Sequence, residues 1–165
     1  MPALAATFTD YVLAVHIIGV VVAFGATFAY PLIFASARRA DPSVMPWLFS
    51  VMQRIDRFIV NPGLTLVLVA GIVLASKFHL WSEFFVQWGL AAVVVIGAGV
   101  GGFMVPREGK LAKVAQRDFE AAPGGRGGGS PWSPEYHKLL RQVSIGGLVL
   151  DLIVIVTIFV MATRP

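Results

Sequence analysis

Three side chains carry most of the chemistry available to this chain in an apolar setting: His16, Gln87 and Asp151. An imidazole can ligate a metal or a haem iron or relay a proton. A carboxyl group within an apolar run is costly unless it faces a bundle interior, where it can hold a proton or a cation. The amide of Gln87 can complete such a site. Each residue also has a structural reading. His16 or Asp151 would bond a neighbouring helix, and Gln87 would sit at the interface beside Trp88. There is no cysteine, so disulfides, thiolate nucleophiles, iron–sulfur ligation and cysteine-type zinc sites are excluded. His79 and His137 show no i, i+4 metal spacing with His16. A two-histidine metal site from His16 and His79 requires the segment around His79 to fold inward. His16 is the one histidine within an apolar run, so a haem b held there would have a second ligand of another kind or none.

The elements that must position these groups are membrane spans. The chain has 165 residues, of which 57% are hydrophobic and 13% charged, against roughly 45–50% and about 25% in ordinary soluble domains. Its length suits a single domain over 1–165. Four runs reach the ~20 apolar residues that a spanning helix needs: about 11–34, 59–76, 84–105 and 143–162. None alternates as a barrel strand would. The spacing predicts an all-α, four-helix transmembrane bundle.

Eleven of the thirteen Lys and Arg residues fall between spans one and two or between spans three and four. That bias predicts an N-out, C-out topology with both long loops in the cytoplasm. It also accounts for the high pI without invoking nucleic acid. No basic residue precedes Arg38, so the first span reads as retained rather than as a signal peptide. His16 and Gln87 then enter from the outer side. With Asp151 near the middle of span four, the three could line an outward-facing polar site.

Between spans one and two, Trp47, Leu48, Val51, Met52, Ile55, Phe58 and Ile59 recur at helical spacing, with Gln53, Arg54, Asp56 and Arg57 largely elsewhere. This predicts an amphipathic helix on the cytoplasmic side, either lying in the interface or extending span two. Pro62 suits a first helical turn. A polar helix over 107–121 should extend span three, a flexible Gly-rich linker follows at 123–130, and Ser133–Pro134 marks the start of the last helix. Small residues form faces for close packing or for a flat cofactor: Gly19, Ala23 and Thr27; Gly97, Ala98, Gly101 and Gly102; Ser144 and Gly147 beside Asp151. The match of Gly97–Gly102 to a dinucleotide fingerprint has no strand before it and carries nothing.

Three local patterns resemble a bacterial family of predicted integral membrane proteins, domain of unknown function 2269. They are the L-x-x-H-I-x-G run around His16 and Gly19, the G-x-T-F-x-Y-P-L run from Gly25 to Leu32, and the ending FVMATRP from Phe159. The Ser133–Pro134–Glu135 start fits as well. The first span is also distantly similar to that of membrane protoporphyrinogen oxidase, where a histidine in a setting like His16 and Gly25 ligates haem; span three here lacks that family's lysine. A further distant likeness is to copper-resistance membrane proteins, although no methionine cluster lies at the outer face. These resemblances imply a multi-pass protein of the bacterial cytoplasmic (inner) membrane, in contact with lipid and with a membrane-protein partner or a second copy. They suggest a haem-associated or redox role with His16 as ligand and Asp151 and Gln87 around the cofactor. The residues themselves leave two alternatives: a transporter or permease component using Asp151 as a proton or cation site, and a non-catalytic assembly subunit.

Overall fold

The structure, a computed structural model, describes residues 7–37, 41–122 and 132–164. Every regular element among them is helical: α1 (Phe8–Gly25), a 3₁₀ turn (Thr27–Ala29), α2 (Tyr30–Ala37), α3 (Val44–Ile55), a π segment (Asp56–Val60), α4 (Asn61–Lys77), α5 (Phe84–Ala98), a second π segment (Gly99–Met104), α6 (Val105–Ala121) and α7 (Pro134–Thr163). These join into four helical runs long and apolar enough to cross a membrane: Phe8–Ala37, Val44–Lys77, Phe84–Ala121 and Pro134–Thr163. The expected linker at 123–130, with Arg38, Arg39 and Arg126, lies outside the described residues.

Most of the apolar surface stays on the outside. Ile17, Val21, Val94, Leu148 and Leu152 are all exposed, as side chains facing hydrocarbon should be, because lipid gives them no drive to be buried. Close packing rests instead on small residues. Along the α1–α4 seam, Ala23 meets Gly63 and Gly19 meets Val67, so closely that a Cβ on Gly63 would stand 2.9 Å from the Ala23 Cβ. The face predicted at Gly19 and Ala23 is therefore a packing face. Of the face predicted in span three, Gly97 and Gly102 are open, a Cβ on either meeting nothing within 4 Å, while one on Gly101 would stand 3.8 Å from the Asn61 side chain. Across the bundle, the Trp88 indole N–H donates to the Thr157 hydroxyl at 3.2 Å and ties α5 to α7.

The densest core lies at the basic end, beyond the apolar runs. Met45, Leu48, Phe49 and Met52 of α3 pack with Leu111 and Ala115 of α6 and with Tyr136, Leu139 and Val143 of α7. Of the two readings of this segment, the extension of span two is the one found: α3 runs on into α4 and buries its apolar face against α6 and α7. Pro62 stands in the first turn of α4, as expected, within that continuous helical run. The polar helix extending span three is found as α6. The Ser133 hydroxyl accepts from the Tyr136 N–H at 3.3 Å and caps α7, while the Asp118 carboxylate accepts from the Ser133 N–H at 2.9 Å. Lys110 and Arg117 pair with Glu135 at 2.9 and 3.3 Å. Such exposed ion pairs add little individually; together with the Ser133 bonds they hold the start of α7 against α6.

A Gly63→Leu substitution is expected to force the α1–α4 seam apart and cost about 1–3 kcal/mol. This should read as a lower thermal midpoint of the detergent-purified protein. Gly97→Leu should leave the midpoint unchanged, and equal midpoints for the two variants would exclude the close seam.

Candidate functional site

Prolines shape this bundle near the basic ends of its apolar runs. A proline inside a helix lacks the N–H owed to the carbonyl four residues back, and its ring crowds that carbonyl. Three spans carry one, at 31, 62 and 106, and each helix departs from α geometry just before it. Ahead of Pro31 the chain tightens into a 3₁₀ turn, where the Tyr30 N–H takes up the Thr27 carbonyl that Pro31 cannot reach. Ahead of Pro62 the ladder widens, and the Asn61 N–H reaches back five residues to Asp56. Ahead of Pro106 the Val105 N–H does the same to Val100. Such π segments recur at functional sites.

The three irregularities surround one cavity of about 350 Å3. Its walls come from all four spans: Thr27 and Tyr30 from the first, Asp56 and Val60 from the second, Val100 and Met104 from the third, and Ser144, Gly147 and Asp151 from α7. Among the described residues, no Lys, Arg or His lines it. The Tyr30 hydroxyl donates to Asp56 Oδ1 at 2.9 Å. Thr27 stands beside the Asp151 carboxyl, and its own hydroxyl donates to the Phe24 carbonyl at 3.0 Å. Asp151 is close enough to Asp56 for the two carboxyls to interact electrostatically.

Behind Asp56 lies a second acid. Glu108 is 0% exposed and Asp56 2%. No donor among the described residues bonds either Glu108 oxygen; the carboxyl faces Asp56 instead. Two ionised carboxylates in contact away from water repel each other strongly. The contact becomes a hydrogen bond when one of them holds a proton, and it links Glu108 through Asp56 to Tyr30 and the cavity.

The structure places the three residues singled out by sequence in three different settings. Asp151 lines the cavity, with Ser144 and Gly147 on the same face as expected. His16 lies on the α1–α4 seam, its Nδ1 3.0 Å from the Val67 carbonyl oxygen and its ring edge against Gly71. It does not line the cavity that holds Asp151. Gln87 is exposed at the far end, where its amide donates to the Trp81 carbonyl at 3.2 Å. The three therefore share no common site. Nor do three His, Asp or Glu side chains converge on a metal-sized centre among the described residues.

The acids that sequence reasoning missed, Asp56 and Glu108, had a legible signal. Met45, Phe49, Met52 and Asp56 follow one helical stripe at spacings of four, three and four. Glu108, Leu111, Ala112, Ala115 and Asp118 form another, and each of these nine residues is buried. Each acid continues an apolar face where its type is out of place.

Tyr30→Phe should leave Asp56 without its donor and cost about 1–2 kcal/mol, since bonds to charged or proton-sharing groups are the stronger ones. Glu108→Gln retains the volume and supplies a donor to Asp56, so it should be neutral or stabilising. Thermal unfolding of the two purified variants separates them, and a marked loss in Glu108→Gln would exclude the proton-sharing pair.

No curated protein and no solved structure matches the chain. One family model does, described as predicted integral membrane protein (DUF2269), and its match runs over residues 10–165. That span takes in all four membrane helices and every residue of the acidic cavity, so the chain belongs to the DUF2269 family of integral membrane proteins.

Proposed function

We propose that this protein is a permease component in which the acid-lined cavity is a proton or cation site, with Asp151 the exchanging group and Asp56, Tyr30 and Glu108 its proton-sharing support. The observation that carries the reading is the placement of Asp151 in a cavity built from all four spans, opposite a Tyr30–Asp56 hydrogen bond. Ionisable groups at membrane depth are retained at a cost and mark ion or proton paths. Helices broken at that same depth supply the usual setting, because irregular backbone inside a membrane is tolerated where it lines a cavity.

In this reading the basic end, with α3 and α6, faces the cytoplasm of a bacterial inner membrane, following the bias of Lys and Arg. A proton or small cation entering the cavity meets Asp151 and Asp56, with no fixed cation among the described lining residues to compete. The acid pair behind it can take up or release one proton without exposing a bare charge to the apolar wall. His16 serves as an interhelical bond in this scheme rather than as a ligand.

Proteoliposomes carrying a trapped pH dye and driven by a potassium diffusion potential test the reading. Wild type is expected to acidify the lumen at least about tenfold faster than Asp151→Asn, a difference of about 1.4 kcal/mol in barrier. The two should have the same size-exclusion profile. Equal rates for wild type, Asp151→Asn and protein-free vesicles would reject it and leave the carboxyls as packing groups.

A further inference from the structure

A second concavity, of about 870 Å3, lies on the outside of the bundle between α7 and the third span. It is separate from the acidic cavity and shares with it only Leu150. Its wall is apolar: Phe103, Gly146, Val149 and Leu150, with the stems of Lys138 and Arg141 toward the basic end. At its floor Gly146 lets α7 approach the third span closely, since a Cβ there would stand 2.8 Å from the Phe103 ring. Val149 is half-exposed.

The cations at its rim are available. Lys138 and Arg141 are exposed, and neither pairs with a carboxylate among the described residues. They stand just before the apolar run that begins at Val143, which sets their charges at headgroup level while the groove continues into the hydrocarbon. Arg107 is fixed nearby: its guanidinium lies over the Phe103 ring at 3.6 Å, donates to the Phe103 carbonyl at 3.3 Å, and donates to Gln142 at 3.4 Å.

We propose that this groove is a binding site for one anionic phospholipid, its phosphate held by Lys138 and Arg141 and an acyl chain laid along Phe103, Gly146 and Val149. Charge decides the occupant. A zwitterionic lipid fills the apolar wall equally well but brings no net charge to two unpaired cations. Basic pockets between spanning helices recognise anionic headgroups for this reason.

The test is native mass spectrometry of the full chain in detergent with equal amounts of phosphatidylglycerol and phosphatidylcholine of identical acyl chains. Wild type is expected to retain phosphatidylglycerol roughly tenfold over phosphatidylcholine. K138Q and R141Q should each reduce that preference to about threefold and the pair should abolish it. R54Q, a basic substitution at the same end but away from the groove, should leave it intact. V149W, which fills the groove, should lower retention of both lipids. Undiminished preference in the single variants or the pair would overturn the proposal. So would equal retention of the two lipids by wild type, or displacement of phosphatidylglycerol by chain-free glycerol phosphate at similar concentration, which would mark a simple anion site.

Discussion

Inside a bilayer every main-chain carbonyl must find its donor within the protein, because no water is there to supply one. Prolines at 31, 62 and 106 each withdraw a donor from a spanning helix. The chain answers locally, with a tightened turn before Pro31 and widened turns before Pro62 and Pro106. Each adjustment changes the phase of the helix and the spacing to its neighbours. All three irregularities supply walls of the cavity lined by Tyr30, Asp56 and Asp151, while Val60, Val100 and Val154 pack together beside it.

The rest of the bundle holds that space open. On one side the Gly63–Ala23 contact brings α1 hard against α4, fixing Tyr30 opposite Asp56. On the other, α7 is tied by Trp88 to Thr157 at one end and by the Asp118–Ser133 bond at the other, presenting Asp151 between them. The basic end carries a dense core of Phe49, Met52, Leu111 and Tyr136, which is where water makes apolar burial favourable. The hydrocarbon-facing half relies on small-residue contacts, single hydrogen bonds and the packing of Phe24, Val60, Leu64, Ile96, Val100 and Val154, since apolar burial by itself gains little against lipid. Glu108 sits at the junction of the two regimes, sealed by the core yet facing the acid that lines the cavity.

Much of this architecture is legible in the residues. The four apolar runs, the continuation of span three into a polar helix, the start of α7 at Ser133–Pro134 and the inward face of Ser144, Gly147 and Asp151 follow from periodicity and capping chemistry. The position of the cluster does not. Asp56 and Glu108 read as solvated charge on amphipathic helices, because a helical wheel cannot say which stripe meets another helix. The pairing of α3 with α6 turns both stripes inward. Conversely, His16 and Gln87 stand out by type, and tertiary contacts occupy them: His16 with the Val67 carbonyl, Gln87 with the Trp81 carbonyl.

What the sequence by itself determined was the class of molecule: four membrane helices, the segregation of basic residues, and a short inventory of polar groups at membrane depth. Those features depend on transfer free energy along the chain, which is additive and local. What only the tertiary structure decided was which polar groups meet. That depends on helix phase, reset at the three proline irregularities, and on which faces come together, so one carboxyl predicted to be important was joined by two that looked ordinary.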